Sequence, residues 1–230
     1  MKRLNIVGNW KMSLNREESL KLANDLKNTK INENLNLEIA PTSLYLYKLN
    51  KIFRNTEISV IAQNYDLQSK GSYTGGICLD QMEEIGIKKT ILGHSERRSF
   101  FNESDEEVNH KLKIILNTDF QVIYCFDNIK QIPFDLIKNN LSGKKLTVAY
   151  EPTWAIGTGK TASLEHIEEI HSQVRQNFNS QMLNEIPILY GGSVNHNNSG
   201  QILQLDNVDG VLVGGASTKY EQLLGILNSI

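Results

Sequence analysis

The sequence predicts an α/β fold, an eight-stranded parallel (β/α)8 barrel, and three observations carry that expectation. Short β-rich apolar runs alternate along the chain with longer stretches whose apolar residues recur at helical spacing. Several of the short runs are nearly continuous in apolar residues, as strands buried on both faces are. Eight such units in 230 residues leave about 29 residues each, a length that suits a βα repeat closing on itself. An open doubly wound sheet shows the same alternation, and periodicity does not separate the two. In either architecture function belongs at the C-terminal ends of the strands. No low-complexity stretch or Pro/Gly/Ser-rich linker divides the chain, so residues 1–230 read as one domain.

The strands are expected at residues 4–9 (Leu-Asn-Ile-Val-Gly-Asn), 37–40, 59–63, 90–92, 121–125, 147–150, 188–190 and 208–213. Helical spacing lies between them. Over residues 17–26 it brings Leu20, Leu22, Ala23 and Leu26 together, and over 106–116 it does the same for Val108, Leu112, Ile115 and Leu116. The stretch 163–178 opens on Ser163, a good helix cap, and sets Ile167, Ile170 and Val174 on one face. A last helix at 219–227 closes the chain.

Composition narrows the class of function. Forty per cent of residues are apolar and 22% charged, which excludes collagenous, disordered and coiled-coil chains. The 24 basic and 26 acidic residues give a net charge of −2, without the basic stripe of a nucleic-acid binder. No apolar run reaches 18 residues, so no membrane span is expected. Asn5 and Asn9 interrupt the N-terminal apolar stretch before a signal-peptide core forms, and the Asn-x-Ser/Thr triplets at Asn102, Asn140 and Asn197 then read as chance matches. Cys78 and Cys125 lie far apart, as reduced thiols rather than a disulfide or a metal pair. A soluble cytoplasmic enzyme is the expectation.

Four segments carry chemistry. Gly8-Asn9-Trp10-Lys11 ends the first strand and brings a lysine to the barrel mouth, although a lone lysine there also suits a solvated loop. Gly93-His94-Ser95-Glu96-Arg97-Arg98 follows the fourth strand and sets an imidazole beside a helix N-terminus, where the dipole favours the neutral ring. His94-x-Glu96 is also how a zinc deaminase signature opens, but no Pro-Cys-x-x-Cys follows. Tyr150-Glu151-Pro152-Thr153-Trp154 places a carboxylate directly after an apolar strand, facing the mouth because the core would leave it unpaired. The residues that follow, through Gly157, Lys160 and Thr161, suit a lid with stiff ends and a mobile centre. A phosphate-binding P-loop is excluded because Trp154 stands where a glycine is required. A dinucleotide fingerprint is disfavoured because the Glu-Pro-Thr-Trp segment separates it from the strand. Tyr190-Gly191-Gly192-Ser193-Val194 and Val213-Gly214-Gly215-Ala216-Ser217 end the last two strands, where barrels bind phosphate through backbone N–H groups.

Together these segments resemble the triosephosphate isomerase family, in order, from Asn9 to Ser217. The resemblance implies a TIM barrel that interconverts glyceraldehyde 3-phosphate and dihydroxyacetone phosphate, a step of glycolysis and gluconeogenesis, with no metal and no organic cofactor. It assigns Glu151 as general base, His94 as the neutral electrophile and Lys11 as the cation for the developing oxyanion and the phosphate. Asn9, Gly157, Ser193, Gly214 and Gly215 become substrate-binding residues, and Ser95 and Glu96 supporting ones. Pro152, Trp154, Lys160 and Thr161 belong to the lid, with Trp154 as its anchor. The stretch from Gln63-Asn64 to Gly76 resembles the family's dimer loop, which assigns Tyr73, Thr74 and Gly75 to a neighbouring subunit's site and implies a homodimer. The partners implied are thus a triose phosphate and a second copy, with neither nucleic acid nor membrane.

The sequence departs from the family in three places. Gly76 stands where a glutamate is usual, Cys125-Phe126-Asp127-Asn128 replaces Cys-aliphatic-Gly-Glu before a shortened stretch to Leu146, and Thr42 follows Pro41 where a second proline is common. None touches Lys11, His94 or Glu151, so retained activity with an altered subunit interface or lower stability is expected. The alternatives are another phosphate-binding barrel such as a sugar-phosphate epimerase, which needs a metal site or acidic pair not evident here, and a non-catalytic barrel acting as a binding protein.

Overall fold

The computed structural model describes residues 3–66, 69–140, 145–155, 161–178 and 185–229. Its elements run β1 (Leu4–Asn9), α1 (Arg16–Lys27), β2 (Leu35–Ala40), α2 (Leu46–Phe53), β3 (Ile58–Val60), α3 (Leu79–Glu84) and β4 (Lys89–Leu92). Two helices follow, α4 (Ser95–Phe100) and α5 (Asp105–Leu116), and then β5 (Gln121–Phe126), α6 (Phe134–Asn140) and β6 (Leu146–Tyr150). The chain finishes with α7 (Leu164–Asn177), β7 (Ile188–Tyr190), α8 (Ser199–Leu203), β8 (Gly210–Val213) and α9 (Tyr220–Leu227).

All eight strands are parallel, in the order β3-β2-β1-β8-β7-β6-β5-β4. A parallel bridge between Ala62 and Thr90 joins the two edges, with Ala62 N–H donating to the Lys89 carbonyl at 2.9 Å and Ile91 N–H to the Ala62 carbonyl at 2.9 Å. The sheet is therefore a nearly closed barrel, and the doubly wound alternative is set aside. Alternation along each strand explains why the runs read as wholly apolar. One set of side chains (Val7, Ala40, Ile61, Ile91, Ile123, Cys125, Ala149, Leu189 and Leu212) fills the barrel interior, and the intervening set, such as Ile6, Leu37, Val122, Val148 and Val211, packs beneath the helices. Burying each such Leu, Ile or Val contributes about 1.5–3 kcal/mol.

The helices start where the caps dictate. Asn15 and Glu18 exchange backbone hydrogen bonds at the head of α1, and Ser104 and Glu107 do the same for α5. Ser163 accepts the His166 N–H at the head of α7. Two strands are shorter than their sequence runs suggest. β3 stops at Val60 because Ala62 makes only the closing bridge and the Gln63 side chain turns back to the Lys11 carbonyl and to that of Ala40 on β2. β8 starts at Gly210 because Val208 N–H closes a turn on Leu205 while Asp209 is committed to Arg175 and the Ile188 N–H.

Candidate active site

The C-terminal ends of β1, β4, β6, β7 and β8 surround a cavity of about 290 Å3, whose lining includes Asn9, Lys11, His94, Glu151, Ser193, Gly214 and Gly215. The residues singled out at separate strand ends thus meet in one place. Glycine clears the way for two of them. Gly93 has φ +68°, and a Cβ there would lie 2.8 Å from Val108 Cγ1, so only glycine makes the turn that carries His94 over the mouth. A Cβ on Gly191 would lie 2.8 Å from Glu151 Cγ, so the glycine after β7 is what admits the carboxylate.

Lys11 sits in a strained backbone conformation, φ +51°, which a non-glycine residue keeps only when its surroundings enforce it. They do. Its N–H donates to Asn9 Oδ1 at 3.1 Å, and Gln63 Nε2 donates at 2.8 Å both to the Lys11 carbonyl and to the Ala40 carbonyl of β2. The ammonium group pairs with Glu96 and leans over the β8 end, where a Cβ built on Gly214 would be 3.7 Å from Nζ. Gly215, with open space above its Cα, begins the short 3-10 turn Gly215–Thr218. Cation and glycine turn therefore lie side by side, an arrangement that suits an anion.

His94 and Glu151 form the centre. His94 Nδ1 accepts the Glu96 N–H at 3.1 Å, which leaves the ring proton of the neutral form on Nε2, 3.0 Å from Glu151 Oε1. Glu151 Oε2 accepts the Ser95 N–H at 2.8 Å; it is this amide, not the Ser95 hydroxyl, that supports the carboxylate. Glu151 is 1% exposed, and burial alone would raise its pKa. His94, the Ser95 amide and Lys11 overcome burial and hold the carboxyl below its ordinary value. For His94 burial acts downward, while the Glu151 charge and hydrogen bond, the larger sum, carry it above its ordinary value. The helix N-terminus was expected to favour the neutral ring, and the Glu151 carboxylate pulls the other way.

Of the lid residues, Pro152 and Trp154 lie in the described structure and Gly157 and Lys160 lie outside it. The turn Thr153–Ala155 starts directly after Pro152, and the Trp154 ring rests against His166 of α7, centroids 6.2 Å apart. Thr161, the far end, donates its hydroxyl to the Ser193 carbonyl at 3.2 Å and accepts from Asn198 at 3.0 Å.

The loop carrying Tyr73, Thr74 and Gly75 stands apart from these groups. Its ends are tied by Asp66, whose N–H donates to the Ile77 carbonyl at 2.8 Å and whose carboxylate accepts the Ile77 N–H at 2.6 Å. Tyr73 is half exposed, as are or more so Met12, Phe100 and Phe101. A second cavity, of about 380 Å3, lies between Met12, Gln63, Arg97 and Phe101 and reaches Lys11, His94 and Glu96. Below the loop Glu103, 7% exposed, pairs with Lys111 and with Arg97 at 3.4 Å, and Tyr65 donates to the Lys111 carbonyl at 2.6 Å. Arg97 thus has a carboxylate partner within its own chain.

Gln63 and the Glu103–Lys111 pair were not singled out as site or network residues from sequence. Gln63 acts on segments distant along the chain, and only the preceding apolar run marks it as a strand-end residue; Glu103 meets Lys111 nearby in sequence, but no pattern there names the pair. Among the described residues no group of three or more His, Cys, Asp or Glu side chains could hold a metal ion, and no helix is long and apolar enough to cross a membrane.

Comparison with known proteins agrees with this arrangement. The family model for triosephosphate isomerase matches residues 4–230. The triosephosphate isomerase of Flavobacterium johnsoniae is 37% identical over the full length of both chains. That of Flavobacterium psychrophilum is 38% identical over 98% of each chain, and that of Mycoplasma genitalium 34% identical over 95% of each. With the barrel, the cavity at its C-terminal mouth and near full-length similarity in hand, the chain belongs to the triosephosphate isomerase family.

Proposed function

We propose that the chain interconverts glyceraldehyde 3-phosphate and dihydroxyacetone phosphate by moving a proton between adjacent carbons through an enediolate, without metal or organic cofactor. Glu151 takes the proton from the carbon beside the carbonyl and returns it to the neighbouring carbon, so the enzyme ends each turnover unchanged. His94, its Nδ1 occupied by the Glu96 amide, gives its Nε2 proton to the carbonyl oxygen as charge develops there and recovers one from the neighbouring hydroxyl, so the two oxygens exchange a proton as the two carbons do. Lys11 balances the same charge and, with Asn9, Ser193, Gly214 and Gly215, holds the phosphate. Gly157 and Lys160 keep the binding and lid roles expected from sequence, alongside Pro152, Trp154 and Thr161. The reading includes one domain over residues 1–230 and a cytoplasmic setting.

The observation that carries this reading is the meeting of base, imidazole, cation and glycine turn at one 290 Å3 cavity. A coupled assay of glyceraldehyde 3-phosphate conversion tests it. Wild type is expected to turn over, and Glu151→Gln to lose about 10²–10⁴-fold in kcat. A fully active Glu151→Gln would transfer the base to another carboxylate, and a folded but inert wild type would reject the isomerase.

The reading also makes the chain a homodimer in which Tyr73, Thr74 and Gly75 of one copy enter the cavity beside Lys11 of the other. The supporting observations are the exposed Met12, Phe101 and Tyr73 around that opening and the commonness of two-fold assemblies. Light scattering on a chromatographed sample should give twice the chain mass; a single chain mass would remove the claim.

A further inference from the structure

We propose that Asp127 is a positioning residue for Glu151, acting through Thr153; the inference rests on the role given to Glu151 above. The carboxylate of Asp127 takes both donors of Thr153, the N–H at 3.1 Å on Oδ1 and the hydroxyl at 2.9 Å on Oδ2. Asp127 is itself held. Its N–H donates to Gln131 Oε1 at 2.8 Å, the Asn128 N–H reaches the same oxygen at 3.2 Å, and Asn128 Oδ1 caps the turn on the Lys130 N–H at 3.0 Å. One residue earlier, the Phe126 carbonyl accepts the Glu151 N–H at 2.7 Å. Phe126 and Asp127 therefore grip the chain on both sides of Pro152, which has no N–H to contribute.

That grip fixes the backbone from which the Glu151 side chain is aimed. In the resting arrangement Glu151 is fully engaged, by the Ser95 N–H at 2.8 Å and by His94 Nε2 at 3.0 Å. The same Nε2 proton has to reach a substrate carbonyl, and it cannot serve Glu151 at full strength meanwhile. Base and imidazole must separate when substrate enters, and residues 151–153 supply the torsions that allow it. A carboxylate binding two donors of Thr153 opposes that rotation, so Asp127 weights the balance toward rest. The Asp127 charge also helps burial push the Tyr150 phenol up to about 12.

Thr153→Val, which keeps the N–H and removes the hydroxyl, and Asp127→Asn, which removes the charge, test the grip separately. Both should lower KM and tighten binding of 2-phosphoglycolate, an anion with the charge pattern of the enediolate, by about 3–10-fold. Thr153→Ser should stay at wild-type values, and thermal melts should show all variants folded. A KM and affinity that stay put or worsen in both variants would overturn the proposal, since a merely structural contact changes stability without favouring the bound state. Failure of the isomerase reading itself shows as an inert wild type, before any variant is compared. Acrylamide quenching of Trp154 in ligand-free protein then decides the grip alone: altered quenching in Asp127→Asn supports it, and unaltered quenching overturns it.

Discussion

At the floor of the barrel Lys89 of β4 and Glu38 of β2 point inward and meet, Nζ lying 2.8 and 2.7 Å from the two carboxylate oxygens. At the mouth Lys11 meets Glu96, and His94 meets Glu151. The residue types are nearly the same, but the settings differ. The floor pair stands on regular strands, each side chain 13% exposed and each charge answered by the other. The mouth pairs stand on backbone bent out of the ordinary, Lys11 at φ +51° and His94 after a glycine at φ +68°, and they border a cavity with room for a ligand. Charges at the floor are spent on each other, whereas those at the mouth are held near one another and remain open to a third party. The floor pair too lines a cavity, of about 670 Å3, so what makes a site here is the strained support, more than adjoining space or the charges themselves.

Removing the lysine at each end is the sharpest way to break this comparison. Lys11→Met is expected to leave the fold intact and reduce kcat/KM by about 10²–10³-fold, because the cation aimed at developing charge is lost. Lys89→Met is expected to do the reverse. It strands the Glu38 carboxylate in a poorly solvated place and costs about 1–3 kcal/mol in urea unfolding, with kcat/KM within about twofold of wild type. A stability loss at Lys11 matching that at Lys89, or an activity loss at Lys89, would erase the distinction. Adding Glu38→Gln to Lys89→Met should recover part of the loss, since both members of the pair are then neutral.

The mouth was legible from sequence where a polar residue interrupts an apolar run. Asn9 ends β1, His94 follows the β4 run after one glycine, and Glu151 follows the five buried residues of β6. β1 and β7 fall on the expected residues for the same reason, being apolar runs with abrupt ends. Gln63 and Asp127 were not legible as working parts. Their contacts are to Lys11 and Thr153, 52 and 26 residues away in sequence, and no local pattern encodes a partner at that distance. Asp127 had registered only as a departure from the family. Gln63 also cost the strand assignment accuracy: it reads as the end of an apolar run, yet its amide leaves the ladder to hold two carbonyls on other segments.

The smallest expected effect concerns how the central pair responds to pH, and its sign follows from the two shifts. Glu151 has a folded pKa below its ordinary 4.5, so its ionised form adds stability above that value, and the contribution fades as pH falls through the folded value. His94 has a folded pKa above its ordinary 6.5, so its protonated form adds stability below that value, and the contribution fades as pH rises through the folded value. Glu151→Gln removes the first contribution and the main cause of the second. The stability difference between wild type and Glu151→Gln, from urea unfolding at constant ionic strength, should therefore peak between about pH 4.5 and 6.5 and narrow on both sides. The Lys89→Met difference has no reason to peak there, because His94 and Glu151 lie at the other end of the barrel. A flat Glu151→Gln profile would mean that the two groups do not share charge at rest, and the mouth would then differ from the floor by strain alone.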